Sequence, residues 1–203
     1  MTERTVLYLI RHGEVEPAYH KVFGGKIDMD LSPLGLEQVE ALGRWFNNRN
    51  IEVLYSSPMK RAQKTAAPLA QITGLTPCLM DDLREVDFGV WTGLSWEQVQ
   101  SRFNISAFEW LNQLEINAIA EAESTAAFRE RIEAALTVIL RTGPAREVAV
   151  VCHGGVIRMI LAVLLDLPFR KMAAFDFDYA SVSKIHYSPG KVEVQLLNFT
   201  PWS

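Results

Sequence analysis

The chain alternates short runs that are apolar throughout with longer stretches where apolar residues recur every three or four positions. Thr5 to Ile10 and Glu147 to Cys152 carry almost no polar side chain, which predicts central strands buried on both faces. Ile51 to Tyr55 reads as a third strand, stopped by Ser56-Ser57-Pro58, and a short fourth lies near Cys78. Ser32-Pro33 pairs an N-cap with a proline at the first helical position. Leu34, Val39, Leu42, Trp45 and Phe46 then supply one apolar helix face. Further helices are predicted over Arg61–Ile72, closed by Gly74, over Thr125–Leu140, and over Gly155–Leu165. Ser95 and Gln98 form a capping box that starts a less regular stretch. Its Phe103, Phe108, Trp110, Leu111 and Leu114 make a helical lid at about residues 94–124. Two terminal strands, Ser181–Tyr187 and Lys191–Asn198, meet at Ser188-Pro189-Gly190 as a hairpin.

Strands alternating with helices predict an α/β fold, a three-layer α/β/α sandwich around a mostly parallel sheet. With no repeat or low-complexity linker, residues 1–203 read as a single domain. Composition narrows the function. A net charge of -4 argues against nucleic acid and anionic membrane as partners while leaving room for a local cationic pocket. No apolar stretch reaches membrane-spanning length, because Ile157–Leu165 is interrupted by Arg158 and ends at Asp166. Two distant cysteines, Cys78 and Cys152, and no leader-like N-terminus point to the reducing cytoplasm. Cys152 reads as apolar filler, and His20 and His186 as solvated surface rather than metal ligands.

The chemistry gathers at strand ends. Arg11-His12-Gly13-Glu14 follows the first strand, and Cys152-His153-Gly154-Gly155 follows the later central one. In parallel sheets ligands bind beyond the carboxyl ends of the strands, so neighbouring strands would place both histidines in one pocket. The glycines allow a sharp turn and let backbone N–H groups approach a ligand. Phosphoryl transfer needs a nucleophile, cations around the equatorial oxygens and a proton for the leaving group. A neutral imidazole is a competent nucleophile, and arginine's planar fork matches phosphate oxygens. His12 fills the first role, and Arg11 and Arg61 are the clamps, with His153 as a third cation when protonated. Glu85, in the loop Leu83–Gly89, is the candidate general acid. Each residue alone has a bland explanation; the weight lies in all of them falling at one sheet edge.

These residues resemble the histidine phosphatase superfamily, also called the phosphoglycerate mutase-like family, from Val6 to about Leu165. The similarity rests on Arg11–Glu14, Phe23-Gly24-Gly25 with Asp28–Gly35, Tyr55–Ala62 with Thr65-Ala66, Leu83–Gly93, and His153-Gly154-Gly155. The resemblance implies a phosphoglycerate mutase-like fold, His12 as phosphorylated nucleophile, and Glu85 as proton donor and acceptor. It further implies a phosphate pocket of Arg11, Arg61 and His153, backbone contacts from Gly24, Gly25 and Gly154, and no metal or other cofactor. Three departures lean toward hydrolysis of a small phosphate ester: Ala18 where mutases usually carry asparagine, the divergent Glu121–Ser124 segment, and a chain shorter than typical mutases. Within the superfamily the chain is most similar to small bacterial phosphatases of the α-ribazole and broad-specificity type, with α-ribazole phosphate or a sugar phosphate as substrate candidates. A phosphoglycerate mutase and a non-catalytic phosphate-binding regulator are the alternatives. The terminal hairpin is compatible with a homodimer.

Overall fold

The computed structural model describes residues 4–141 and 146–203, so the first three residues of the polar N-terminal lead lie outside it. Six strands form one sheet: β1 (Thr5–Arg11), β2 (Val53–Ser56), β3 (Cys78–Leu79), β4 (Glu147–Cys152), β5 (Val182–Ser188) and β6 (Lys191–Phe199). Their order is β3-β2-β4-β1-β5-β6. The first four are parallel, and the terminal hairpin adds β5 and β6 antiparallel on the β1 side.

Strand periodicity sorts the core into two layers. Val6, Tyr8 and Ile10 of β1 pack with Leu42, Phe46 and Leu69, from α1 (Pro33–Phe46) and α2 (Lys60–Thr73). Leu7 and Leu9 face the other way, toward Phe128, Ile132 and Ile157 of α5 (Thr125–Arg141) and α6 (Gly154–Leu164). Both faces of the central strands are therefore covered, which is why their sequences are apolar without alternation.

Helix starts follow the sequence closely. Ser32 Oγ accepts the Gly35 N–H (2.9 Å), with Pro33 opening the helix. Ser95 and Gln98 form both halves of the capping box that begins α3 (Trp96–Phe103). The inward face of α1 differs from expectation: Leu34 is exposed, and the buried stripe runs through Gly35, Gln38, Val39, Leu42 and Phe46. Leu34 stands one position ahead of that stripe, so the first helical turn carries it to solvent. His186 is half-buried on β5 rather than fully solvated, and burial lowers its pKa.

The lid contains α3, a 3-10 turn at Ala107–Glu109 and α4 (Trp110–Glu115). Its base is stitched to the segment after β1: Phe23 N–H donates to Leu94 O (3.0 Å) and Trp96 N–H to Lys21 O (2.9 Å). Val99, Ala107, Leu111 and Leu114 are buried beneath it, so the region is packed. Among the described residues no helix is long and apolar enough to cross a membrane.

Candidate active site

The register of β1 on β4 determines the site. Arg11 lies opposite Cys152, so the next residues, His12 and His153, leave the sheet at the same level. His12 N–H still donates to Cys152 O (3.0 Å), and Ser57, just beyond β2, donates its N–H to Val151 O (2.9 Å). The two imidazole centroids are 5.2 Å apart. Arg11, His12, Arg61, Glu85, Gly24 and Gly25 line one cavity of about 540 Å³, joined by Gly154. His153 is wholly buried and sits behind this surface, against His12.

Each side chain is held by named partners. His12 Nδ1 donates to Gly13 O (2.8 Å), since a carbonyl only accepts, which leaves Nε2 with its lone pair. Arg61 is 2% exposed, and its two terminal nitrogens donate to Ile27 O (2.7 Å) and Gly25 O (3.2 Å). Arg11 donates to Phe177 O and lies 4.0 Å above the Tyr179 ring, a cation–π contact. His153 Nε2 meets Ser57 Oγ at 2.8 Å, and its Nδ1 has no hydrogen-bond partner among the described residues.

The glycines act differently from expectation. A Cβ at position 13 would lie 2.8 Å from Val39 Cγ1 and 2.9 Å from Gly35 O, so Gly13 lets the loop press onto α1. Its N–H donates to Thr65 Oγ1 (2.9 Å), not to an incoming ligand. At Gly155 the N–H donates to Glu85 Oε2 (3.2 Å), and an added Cβ would lie 2.4 Å from Glu85 Oε1. The bare helix N-terminus thus seats the Glu85 side chain. Gly155→Ala is therefore expected to displace Glu85. Turnover of alkyl phosphates should fall about tenfold or more, with a stability loss of about 1–3 kcal/mol. Rate assays paired with thermal melts check this, and an unchanged rate would mean that the seat is dispensable.

Tyr179, in a loop without pattern, escapes a reading of the sequence, and Ser57 and Thr65 enter it only within the motifs that carry the resemblance, with no role of their own. Arg158 did leave a signal: it is the one charge inside an otherwise apolar helical run. It lines the cavity, donating to Gly154 O (3.3 Å) and Phe175 O (2.8 Å). Cys152 is buried, and burial pushes its thiol far above the usual range, which suits filler rather than nucleophile.

Burial, and then the positive charge of Arg61, holds both imidazoles well below the ordinary histidine value; for His153 the neighbouring His12 adds to this. Both shifts favour the neutral rings in the ligand-free pocket, so His153 is a third cation only once protonated, the condition the sequence reading attached to it. A bound phosphate dianion would reverse the sign of the local field. Nitrogen-15 imidazole spectra should show both rings neutral down to at least pH 6, and proton uptake at pH 6 on adding orthophosphate. Rings already protonated at pH 7 without ligand would contradict it. The same depressed values affect stability. Below pH 6.5 the unfolded chain binds protons that the folded rings refuse, so stability declines as pH falls from there toward their folded values.

A mostly parallel six-stranded sheet, flanked by helices and carrying its functional groups at the strand ends, is the phosphoglycerate mutase-like architecture. The chain belongs to the histidine phosphatase superfamily (branch 1), whose sequence model matches residues 7–200, through the terminal hairpin as well. It is 29% identical over 194 residues to phosphoserine phosphatase 1 of Hydrogenobacter thermophilus, covering 96% of this chain and 92% of that one. It is 24% identical over 192 residues to the adenosylcobalamin/alpha-ribazole phosphatase of Escherichia coli, covering 95% of each. Among solved structures, a mycobacterial glucosyl-3-phosphoglycerate phosphatase superposes with a TM-score of 0.83 at 25% identity, covering 96% of this chain and 99% of that one.

Proposed function

We propose that the protein hydrolyses small phosphomonoesters through a phosphohistidine at His12. The observation that carries this reading is the convergence of His12, Arg11, Arg61 and Glu85 on one cavity, with the His153 imidazole directly behind His12 on the adjacent in-register strand. The relatives named as phosphatases lend further support.

In this mechanism Arg11 and Arg61 hold the equatorial phosphate oxygens, and His12 Nε2 attacks phosphorus opposite the ester oxygen. The P–O ester bond breaks as the N–P bond forms, and Glu85 gives its proton to the departing alkoxide. Water then enters. Glu85 takes its proton, oxygen attacks phosphorus, the P–N bond breaks, and orthophosphate leaves. His153 donates to the transferred group: with Ser57 Oγ–H bonded to its Nε2, the ring proton sits on the unpartnered Nδ1.

The direct test is orthophosphate release from a panel that includes α-ribazole phosphate, sugar phosphates and phosphoserine, each run with and without EDTA. Release unaffected by EDTA is the expected result. Isomerisation of phosphoglycerate without release would instead identify a mutase.

A further inference from the structure

The lower half of the cavity is cationic, but the upper half is of a different kind. The lid side is built from Phe88, Trp96, Ala107, Phe108, Trp110 and Leu111. None of these side chains carries a charge, and two indole N–H groups are their only hydrogen-bonding atoms. Tyr19, Phe23, Met29 and Phe177 add to the lining, with Phe23 packed against Phe88 (ring centroids 5.0 Å). Rings edge against one another along this wall, with Trp96–Phe108 centroids at 5.1 Å and Phe88–Trp110 at 5.3 Å. Phe108 is 75% exposed at the cavity wall, the most exposed of the large apolar side chains. An apolar ring left in water beside a binding cavity is an unfilled contact for a ligand.

Beyond Arg11 and Arg61 the cavity lining includes one further cation, Arg158, whose Nε has no hydrogen-bond partner among the described residues. Arg158 is turned to the carbonyls of Gly154 and Phe175, with the Asp176 carboxylate 3.8 Å away. Asp176 and Asp178 instead place negative charge along the cavity wall. The Asn198 amide is used up at both ends by Asp178: its Oδ1 accepts the Asp178 N–H (2.6 Å) and its Nδ2 donates to Asp178 Oδ2 (2.9 Å).

We infer that the preferred substrate is a monophosphate ester of an apolar, ring-bearing alcohol, an inference that rests on the hydrolase reading above. The phosphate occupies the arginine floor, and the ring lies along Trp96, Phe108 and Trp110.

The test compares 2-phenylethyl phosphate with O-phosphoserine, glucose 6-phosphate and 2-aminoethyl phosphate. All four are primary alkyl esters, so differences in leaving-group acidity are small, and p-nitrophenyl phosphate serves as the control for hydrolysis itself. The expected kcat/KM for the phenylethyl ester exceeds the others by about tenfold or more. Phe108→Ala, at an exposed site where folding is not at stake, should raise KM for that ester several-fold and narrow its kcat/KM advantage over phosphoserine by a similar factor. Equal or better turnover of any of the three polar esters overturns the inference while leaving the hydrolase reading intact. Failure to turn over p-nitrophenyl phosphate overturns the hydrolase reading, and the inference falls with it. An unchanged preference in Phe108→Ala also counts against the proposed wall contact.

Discussion

His12→Ala is expected to abolish phosphate release, with a loss on the order of ten-thousandfold or more. The size follows from the site. His12 Nε2 is the unprotonated ring nitrogen beside the arginines, with Nδ1 committed to Gly13 O. The other imidazole, His153, is wholly buried and bonded to Ser57, so it offers no substitute. Rapid acid-free quenching of the wild type during turnover, followed by mass spectrometry, should find a phosphoryl group on the peptide containing position 12. Equal hydrolysis by the two proteins would refute the covalent mechanism.

Glu85→Gln should produce a loss that depends on the ester. The amide oxygen can still accept the Gly155 N–H, so the loop keeps its anchor, but no proton is available for the leaving alkoxide. Alkyl phosphates should slow by about 10²–10⁴-fold, the usual worth of a placed general acid. p-Nitrophenyl phosphate, whose leaving group needs no proton, should retain much more of its phosphorylation rate. A slope of log kcat/KM against leaving-group acidity, shallow in the wild type and steep in the variant, is the expected pattern. Parallel slopes would remove Glu85 from that role.

Much of this arrangement could be read from the chain because the buried strands are apolar throughout and end abruptly in Arg-His and Cys-His. The sheet rule then sends both histidines to one edge. The pairing of β1 with β4 in this register is another matter: it depends on long-range packing that no local pattern records. The same limit hid the partner of His153: Ser57, just beyond β2, meets its Nε2 at 2.8 Å only because β2 pairs with β4. Leu34 was misplaced because a one-residue phase error rotates a helical position by about 100°. Arg158 was legible as an anomaly, a cation in an apolar helix, but its direction into the cavity required the fold.

The lid is tied by main-chain bonds at Lys21–Phe23 and Gly93–Trp96, and at its far end by Val90 N–H to Ala120 O (3.0 Å) and Glu123 N–H to Asp87 O (3.0 Å), whereas the proposed nucleophile and its clamps hang from the sheet and α2. In the proposed mechanism reaction and recognition thus fall to different segments. A transplant of residues 94–124 from another member would be expected to carry its selectivity with it, without retuning the strands beneath. One scaffold could in that way accumulate many specificities through exchange of a single cassette.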